Sequence, residues 1–536
     1  MKDYVSYEDF GAVGDGIAND FFAMKAAHEY ANQYGLPVRA DSSRTYRISN
    51  TETDGVASSI TVMTDTDFCG ATVIFDDTDI AWCEGEGKCH DTYIFEIESR
   101  YTPITVDKEY LERINALGGI RRDVTRKIDT GLGFPAMLVI KNDEKTVYIR
   151  YGCNQSSGVA QSELVVIDSD GNIDETTPLL FDYERVSEIV AYRIDEPELT
   201  FENGNFVTRA SRKNLVDEFH MLFRGIVIHR PNVHVKGIRH SVENEIFKGE
   251  MLDGVQFIGH SYWGFIITEY THNILIEDSV FQARAYYLQG TYDLIATMTD
   301  RLVLKRCDQS NFFPTHSYPL WGVAGTNYCK NMIYEDSRIN RYDAHQGVVN
   351  GRITNCEVSS VRLIGGGDML IEKTKIYCNS PVSPIQLRED FGATFRGTLT
   401  VKDSELVDGR GRGSNPSSIL VAQSSNWDFG YDTFFPNIVI DNLKLPSSSE
   451  IPLLYDFEMK TDRYGFFYRS VRDGALAVRG AVCSDGKPNV NPYTPPKFIR
   501  VVNNLHNGYE ITLPRVPFFK DTELCGISLS DQTDID

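Results

Sequence analysis

The sequence lacks three features that would each point to a particular class of protein. It has no run of about eighteen apolar residues and no apolar signal core at its start, so neither a transmembrane helix nor a signal peptide is predicted. Its ten cysteines are too scattered over 536 residues for a disulfide framework. Basic residues are in deficit, with 53 Lys and Arg against 76 Asp and Glu, and the net charge of −23 disfavours nucleic-acid binding. We expect no nucleic-acid or membrane partner, and a cytoplasmic location, or a secreted one if a leader was removed.

Apolar and aromatic residues, by contrast, are abundant. Hydrophobic residues make up 41% of the chain, which contains 28 Tyr and 29 Phe, so the composition is that of a folded protein. The chain is long for one ordinary globular core. Its length predicts either two or three domains or one elongated repeat body.

The segment Asp9–Asp20 carries the most specific local pattern. It reads DFGAVGDGIAND, and its closely spaced glycines predict tight turns, because only glycine enters the positive-φ regions freely. Asp20 is the predicted cap of a helix whose apolar residues recur at helical spacing from Phe21 to Tyr34. Gly35 is predicted to end that helix.

This D-F-G-A-x-G-D-G-x-x-x-D block followed by a helix resembles the N-terminal segment of right-handed parallel β-helix proteins of the pectate-lyase-like superfamily. That superfamily holds polysaccharide hydrolases, polysaccharide lyases and phage tailspikes. The resemblance implies an all-β solenoid with an N-terminal helix cap, and an oligo- or polysaccharide as its partner.

A recurring unit between residues 225 and 445 also predicts a solenoid. It is an apolar strand that ends in a small or polar residue, as in Ile274–Ser279 and Leu302–Cys307. These end residues, which we call anchors, lie 17 to 30 residues apart: Gly237, Gly254, Ser279, Cys307, Ser337, Cys356, Thr374 and Ser404. Variable steps of this size are typical of rungs with a constant core and turns of variable length. Cysteines at anchor positions are predicted to be small core residues.

The chain divides into four predicted regions. Residues 1–103 are the N-terminal cap and first rungs. Residues 104–216 lose the rung pattern and show alternating strands with a hairpin turn at Asp168–Asn172, so we predict a β-rich insertion subdomain there. Residues 217–445 are the β-helix core with the active-site face. Residues 446–536 are a C-terminal cap or subunit contact, which leaves a homo-oligomer open.

The distance of a residue from its anchor, counted in residues, predicts its position on the rung. Residues at equal offsets on successive rungs are expected to stack about 4.8 Å apart. Asp293, Asp343 and Asp390 each precede an anchor by 13 or 14 residues. We therefore expect these three carboxylates to form a column on one face of the solenoid. Adjacent members would lie about 10 Å apart along its axis before side-chain reach.

The surroundings of these carboxylates fit a sugar-binding cleft. Aromatic rings stack on pyranose C–H groups, while Asp and Arg hold the hydroxyl groups. The candidate substrate-binding residues are Tyr292, Trp321, Arg341, His345, Arg388 and Glu389, with His260 and Trp263 on an earlier rung. A structural interpretation stays open, in which the Asp residues cap turns and the Arg–Asp pairs are simple ion pairs.

The pattern favours glycoside hydrolysis, with no cofactor and no metal ion. Hydrolysis needs two carboxyl groups, and Asp343 with Asp390 is the first choice, with Asp293 in reserve. Side chains two rungs apart favour the wider, inverting separation. Polygalacturonase relatives carry N-T-D, D-D, G-H-G and R-I-K strings on successive rungs. Here Gly259-His260-Ser261 replaces G-H-G and the other strings are missing, so that particular hydrolase is not expected.

Two other functions remain open from the sequence. A polysaccharide lyase acting on a uronate-containing glycan would use Arg341, His345 or Arg388 as base and as neutralising cation, with the Asp residues holding Ca²⁺. A tailspike-like protein would bind glycans without turnover, and would be expected to show long columns of Asn, Ser, Thr and Val without a carboxylate face.

Overall fold

The structure is a computed structural model. It describes residues 3–53, 56–80, 92–149, 157–211, 221–245, 251–252, 255–256, 261–282, 292–310, 324–378, 383–388, 391–409, 411, 416, 418–424, 429–447, 451–453, 465–466, 493–503, 510–514 and 519–530. The described residues contain two α-helices, Phe21–Tyr34 and Lys108–Ala116, and a 3-10 turn at Glu8–Phe10.

The dominant element is a sheet of 29 strands. Its strands pair in parallel with strands one turn further along the chain: Ile266–Glu277 pairs with Leu294–Lys305, which pairs in turn with Ala324–Glu335. Among the described strands of this sheet, only Gly465–Phe466 pairs antiparallel, against Leu420–Ser424. Parallel pairing between successive turns is the pattern of a solenoid, so the predicted parallel β-helix is confirmed.

The strands of this sheet run from the N-terminal segment to the last rungs. They are Asp15–Asn19, Val38–Arg39, Thr45–Ile48, Ile60–Val62, Thr66–Asp67, Thr72–Asp76, Phe95–Ile97, Leu199–Glu202, Asn205–Arg209, Ile226–Ile228, Val233–Lys236, Arg239–Glu243, Ile266–Glu277, Val280–Phe281, Leu294–Lys305, Asp308–Gln309, Ala324–Glu335, Arg338–Thr354, Glu357–Leu363, Gly365–Glu372, Lys375–Cys378, Ile385–Leu387, Phe395–Lys402, Glu405–Asp408, Leu420–Ser424, Asn437–Asp441, Gly465–Phe466, Phe498–Val502 and Glu523–Cys525.

Short strands outside this sheet form small ladders of two or three members. They are Glu52–Thr53 with Val56–Ala57, Met221–Leu222 with Ser261–Tyr262, Met251–Leu252 with Val255–Gln256, Thr433–Phe434 with Tyr493–Thr494, and Ile451–Pro452 with Ile511–Pro514 and Ser528–Ser530.

The predicted anchors form a hydrogen-bonded column at one corner of the coil. Ser337 Oγ accepts from the N–H of Cys307 at 3.0 Å, and Cys356 Sγ accepts from the N–H of Ser337 at 3.4 Å. Thr374 and Ser404 continue the column with their hydroxyl groups at 3.4 and 3.2 Å. The residue before each of these anchors has a positive φ: Arg306, Asp336, Asn355, Lys373 and Asp403. The side chains of Ser337, Cys356, Thr374 and Ser404 are buried, and each accepts from a backbone N–H on the neighbouring rung. Cys307 and Cys356 are buried, so the prediction that they are small core residues is confirmed. Gly237 is half-buried, and Gly254 lies outside the described residues.

The N-terminal helix Phe21–Tyr34 forms as predicted and ends at Gly35, whose φ is +67°. The predicted cap role of Asp20 is wrong, because its side chain makes no capping bond to the helix. Its carboxylate accepts instead from the backbone N–H groups of Val13 at 2.7 Å and of Arg47 at 3.2 Å. Asp20 thus fastens the glycine-rich segment to the first rungs.

A separate antiparallel sheet lies within the predicted insertion. Its strands are Ile104–Thr105, Ala136–Val147, Val159–Ile167 and Glu188–Arg193. The predicted hairpin turn is present, since Asp168 Oδ1 accepts from the backbone N–H groups of Asp170 and Asn172, both at 2.9 Å. The β-rich insertion is therefore confirmed as a unit distinct from the rungs.

Two boundaries differ from the prediction. The coil resumes at Leu199–Glu202, before residue 216, because this strand pairs in parallel with Val233–Lys236. The coil also continues past residue 445, since Phe498–Val502 pairs in parallel with Asn437–Asp441. A subunit contact at residues 446–536 stays a prediction. In the part of the chain that the structure describes, no helix is long and apolar enough to cross a membrane.

Buried polar contacts attach the insertion to the coil. Lys330 Nζ lies 2.9 Å from Glu163 Oε2, and both side chains are buried. The side-chain amides of Asn331 and Asn350 donate to the carbonyl of Thr176 at 3.1 and 2.8 Å. Because breaking a buried ion pair is costly, these contacts hold the insertion against one flank of the coil.

Candidate functional site

Asp343 and its neighbours lie on the outward-facing side of the coil. On the strand Arg338–Thr354, both sequence neighbours of Asp343 pack in the hydrophobic core. Because side chains alternate along a strand, Asp343 points outward. Arg341 lies two residues before Asp343 and shares its face, and His345 lies close enough to act on the charge of the Asp343 carboxyl.

The parallel register extends this face onto neighbouring rungs. Asp343 is in register with Gly325 on the rung before it and with Arg362 on the rung after it. Arg362 is in turn in register with Gln386. Arg388 lies two residues after Gln386, so it follows the same side of its rung.

Asp343 is the centre of a buried network. Arg388 Nη1 lies 2.7 Å from Asp343 Oδ1, Arg341 Nη2 contacts Oδ2, and the Tyr292 hydroxyl donates to Oδ2 at 2.8 Å. All four side chains belong to residues that are 8% exposed or less. We call these four residues the Asp343 network, and all four were predicted site residues.

Opposing effects set the ionisation of the Asp343 network. Burial raises the pKa of the Asp343 carboxyl, whereas the guanidinium groups of Arg341 and Arg388 lower it. The combined effect of the arginines is the larger, so the pKa lies well below its usual range. Burial, together with the charge of Asp343, raises the pKa of the Tyr292 hydroxyl. At neutral pH Asp343 is therefore ionised, and its carboxylate accepts hydrogen bonds rather than donating them.

Arg362 belongs to this face but escaped the sequence analysis. Its side chain is half-buried, and burial and the neighbouring Arg341 lower the pKa of its guanidinium to about 10. Within the described ranges, its Nε has no hydrogen-bond partner. It precedes the anchor Thr374 by 12 residues, one fewer than the smallest offset of the predicted carboxylates. The apolar residues of the strand Glu357–Leu363 alternate with polar ones, and this alternation predicts that the side chain of Arg362 points outward.

His345 lies at the edge of the Asp343 network. Its Nδ1 is 2.9 Å from Asn327 Oδ1, and its ring meets Phe391 edge-on with the centroids 5.5 Å apart. Like Arg362, it is half-buried. Among the described residues beside Asp343, these two side chains are therefore more accessible from solvent than the Asp343 network itself.

An aromatic surface lies on earlier rungs of the same face. Tyr292 and Trp263 pack on three apolar residues of the column that leads to Asp343: Val227, Ile267 and Ile295. The ring of Trp263 is half-buried and lies 5.8 Å from that of Phe223. The structure thus places the predicted aromatic residue Trp263 on the face that carries Asp343, three rungs before it.

The expected stacking of Asp293 with Asp343 is wrong in its register, whereas the place of Asp390 in the column stays a prediction. Ile295 pairs with Gly325 and Gly325 pairs with Asp343, so Ile295 rather than Asp293 stacks below Asp343. The strand Arg338–Thr354 carries an extra residue, a β-bulge, after Asp343. The bulge adds one residue between Asp343 and its anchor, so equal offsets from the anchors no longer mark stacked positions.

Asp293 lies at the corner that precedes its strand. Its carbonyl accepts from the N–H of Phe265 at 2.8 Å, and its carboxylate Oδ2 lies 3.5 Å from Gln309 Nε2. Gln309 is fully buried and is in register with the core residue Phe281. Asp293 therefore faces a buried polar group of the coil and not the column above it.

Four predicted site residues lie outside the described residues: His260, Trp321, Glu389 and Asp390. Glu389 and Asp390 directly follow Arg388 in the sequence, and Arg388 is a member of the Asp343 network. Their roles stay predictions.

The described part of the site carries more positive than negative charge. Three guanidinium groups, those of Arg341, Arg362 and Arg388, surround the carboxylate of Asp343. In a chain with a net charge of −23, such a local excess of cations favours an anionic ligand. The described ranges hold no group of three His, Cys, Asp or Glu side chains arranged to bind a metal ion.

No family model matches the chain, and no curated protein matches it. Among solved structures, it is similar to the gp54 tailspike of Acinetobacter baumannii bacteriophage AP22, crystallised with A. baumannii capsular saccharide, at 11% identity and a TM-score of 0.46 over 97% of this chain and 79% of that one. A tailspike mutant of E. coli bacteriophage HK620, in complex with a pentasaccharide, shares 8% identity at a TM-score of 0.44 over 98% and 78% of the chains. The A-module of the Azotobacter vinelandii mannuronan C-5 epimerase AlgE6 shares 13% identity at a TM-score of 0.38 over 85% and 96%. All are parallel β-helix folds, and the likeness concerns the fold alone.

Proposed function

We propose that this protein is a carbohydrate-active enzyme that binds and cleaves an acidic oligo- or polysaccharide on the outer face of the coil. The observation that carries the proposal is the grouping of Arg341, Arg362 and Arg388 around the ionised Asp343. Guanidinium groups bind sugar carboxylates strongly, and aromatic rings such as that of Trp263 stack on pyranose C–H groups. Because successive rungs present these groups in line, the face suits a polymer.

Glycoside hydrolysis is the first candidate reaction. It needs one carboxylate that stays ionised and one carboxyl group that donates a proton to the leaving oxygen. The lowered pKa of Asp343 fits the carboxylate that stays ionised, where it orients the attacking water and stabilises developing positive charge. Asp390 is the proposed proton donor, because it lies two residues after Arg388, whose guanidinium contacts Asp343.

Elimination is the second candidate reaction, and Arg362 is the observation that favours it. A lyase removes the proton next to a uronate carboxylate and expels the neighbouring glycosidic oxygen, so it needs a base and a cation near that carboxylate. Arg341 and Arg388 are paired with Asp343, whereas the Nε of Arg362 has no partner within the described ranges. With a pKa of about 10, Arg362 also loses its proton more readily than an ordinary arginine, as a group that acts as a base must.

The test is incubation with a panel of acidic and neutral polysaccharides, with two readouts on each sample. New reducing ends without the ultraviolet absorbance of unsaturated uronates indicate hydrolysis, and the two signals together indicate elimination. Asp343→Asn should lower the rate of either reaction about 10²- to 10⁴-fold. Asp368→Asn is the matched control, because Asp368 is an exposed aspartate on another strand of the coil.

Two results would contradict the proposal. Full activity of Asp343→Asn would make the Asp343 network purely structural. Tight binding of a glycan without any product would favour a tailspike-like protein that binds without turnover.

A further inference from the structure

Two adjoining cavities lie along the junction between the insertion and the coil. Their volumes are about 420 and 450 Å³. Arg122, Leu180 and Arg396 line both, so the two cavities adjoin, and together we call them the seam cleft. Each cavity alone falls in the range of small-molecule sites, about 300–1,000 Å³.

The walls of the seam cleft are held in place by close contacts. The insertion and the coil are joined by the buried Lys330–Glu163 pair. Gly430 has a φ of +82°, and a Cβ there would lie 2.0 Å from the carbonyl oxygen of Thr146 in the insertion. The cleft is therefore pre-formed, and a ligand does not have to order its walls on binding.

The first cavity combines aromatic rings with charged groups. Phe181 of the insertion and Tyr431 and Phe434 of the coil flank supply rings, and the exposed Lys145 and Asp432 supply charge. Rings that stack on C–H groups, set beside charged hydrogen-bonding groups, are the combination that a saccharide requires.

Arg122 and Arg396 stand where the two cavities meet. Both guanidinium groups lie over the ring of Phe434, at 5.9 and 5.4 Å from its centre. Arg396 Nη2 is 3.2 Å from Asp123, and Arg122 Nε is 3.7 Å from Asp182. The two aspartate side chains are 71% and 38% exposed, so water screens these ion pairs. A ligand carboxylate can therefore take the place of an aspartate at little cost.

We propose that the seam cleft is a second saccharide-binding site, which holds an extended segment of an acidic glycan without cleaving it. The two arginines hold a sugar carboxylate, and the rings of the first cavity stack on pyranose C–H groups. The second cavity is also lined by Asp123, Asp174 and Glu175, so it takes a sugar unit without a carboxylate. This inference does not depend on cleavage at the Asp343 network. It does extend the same ligand class to a different surface of the molecule.

The test measures retention of four proteins on an array of immobilised oligouronates, sialylated oligosaccharides and neutral oligosaccharides. The proteins are the wild type, the double variant Arg122→Ala/Arg396→Ala, the site variant Asp343→Asn, and the control Arg185→Ala. Arg185 is a matched control because it is an exposed arginine of the insertion, paired with Glu144 at 3.0 Å and outside both cavities. Lys145→Ala tests the first cavity separately, since this exposed side chain carries no folding risk.

Asp343→Asn should still be retained on acidic glycans, and the double arginine variant should lose about tenfold in affinity, with a smaller loss for Lys145→Ala and none for Arg185→Ala. Equal retention of the double variant and the wild type would overturn the second site while leaving the proposed function intact. Retention that depends on the arginines in a protein that cleaves no glycan would support the second site and overturn the proposed function. A wild type that is retained on no glycan would overturn the second site, whatever the cleavage assay shows.

Discussion

The Asp343–Arg388 ion pair should be far more strongly coupled than a surface pair of the same length. Its N–O distance is 2.7 Å and both side chains are buried. Arg306 Nε and Asp278 Oδ1 are also 2.7 Å apart, but their side chains are 45% and 41% exposed. Removing one partner of a buried pair costs about 3–5 kcal/mol, whereas an exposed pair contributes about 0–1 kcal/mol. The two pairs therefore have the same N–O distance and differ in the burial of their side chains.

The assay is a double-mutant cycle for each pair, with the free energy of unfolding measured in urea. Arg388→Met keeps the length of the side chain but leaves Asp343 with one less cation, so we expect it to lower the free energy of unfolding by about 3–5 kcal/mol. Asp343→Asn and the double variant complete the first cycle, and Arg306→Met with Asp278→Asn gives the control cycle. We expect a coupling energy of about 2–3 kcal/mol for the buried pair. Coupling energies that agree within about 0.5 kcal/mol would refute the reasoning.

The same pair makes a prediction about pH. The pKa of Asp343 is lower in the folded chain than its unfolded value of about 3.9, so its stabilisation is fully present above that pH. It is lost progressively as the pH falls below about 4 toward the folded pKa. The difference in stability between the wild type and Arg388→Met should therefore be constant from about pH 6 to 7 and shrink in acid. A difference that grows as the pH falls would contradict the assigned ionisation.

Three further predictions concern other parts of the fold. Ser337→Ala leaves the buried N–H of Cys307 without its 3.0 Å acceptor and should lower the free energy of unfolding in urea by about 1–3 kcal/mol. Lys330→Met leaves Glu163 buried without its cation, so hydrogen exchange measured by mass spectrometry should accelerate in the insertion strands and not in the first rungs of the coil. Burial lowers the pKa of His229, whereas the neighbouring Glu98 and Glu269 raise it. The combined effect of the glutamates is the larger, and the pKa is about 9. The resulting stabilisation is full below the unfolded pKa of about 6.5 and is lost as the pH rises through about 9, so His229→Gln should lower the melting temperature at pH 6 but not at pH 10.

The coil could be predicted from the sequence because its rules are local. Each anchor is a small or polar residue at the end of an apolar strand, and the structure explains the pattern: Ser337 and Thr374 must fit a tight corner and satisfy an N–H of the neighbouring rung. The glycine-rich segment before Phe21 is likewise local. The role of Asp20 was missed because its partner Arg47 lies on a different rung, which spacing along the chain does not reveal.

The site was harder to predict because register across rungs depends on single residues. One extra residue after Asp343 changes the number of residues between it and its anchor. As a result Ile295 stacks in the column of Asp343, and Asp293 lies at the corner before its strand. Arg362 was missed for the same reason, since a fixed offset from the anchors does not follow a column through a bulge. Chemistry was the more reliable signal: Tyr292, Arg341 and Arg388 were chosen as neighbours in sequence of the three candidate carboxylates, and all three contact Asp343.

The most direct test of the central claim is how strongly the enzyme prefers an acidic glycan over the same glycan with its carboxyl groups reduced to alcohols. The measurement is the ratio of kcat/KM for the two substrates, in the wild type, in Arg362→Ala and in the control Arg352→Ala. Arg352 is an exposed arginine on the strand Arg338–Thr354 and donates to Thr354 at 3.0 Å. A hydrogen bond to a charged group contributes about 1.5–3 kcal/mol, so the preference should fall about 10- to 100-fold in Arg362→Ala and stay unchanged in Arg352→Ala. A wild type that cleaves both glycans equally well, or an Arg362→Ala variant that keeps the full preference, would contradict acidic-glycan recognition at this face.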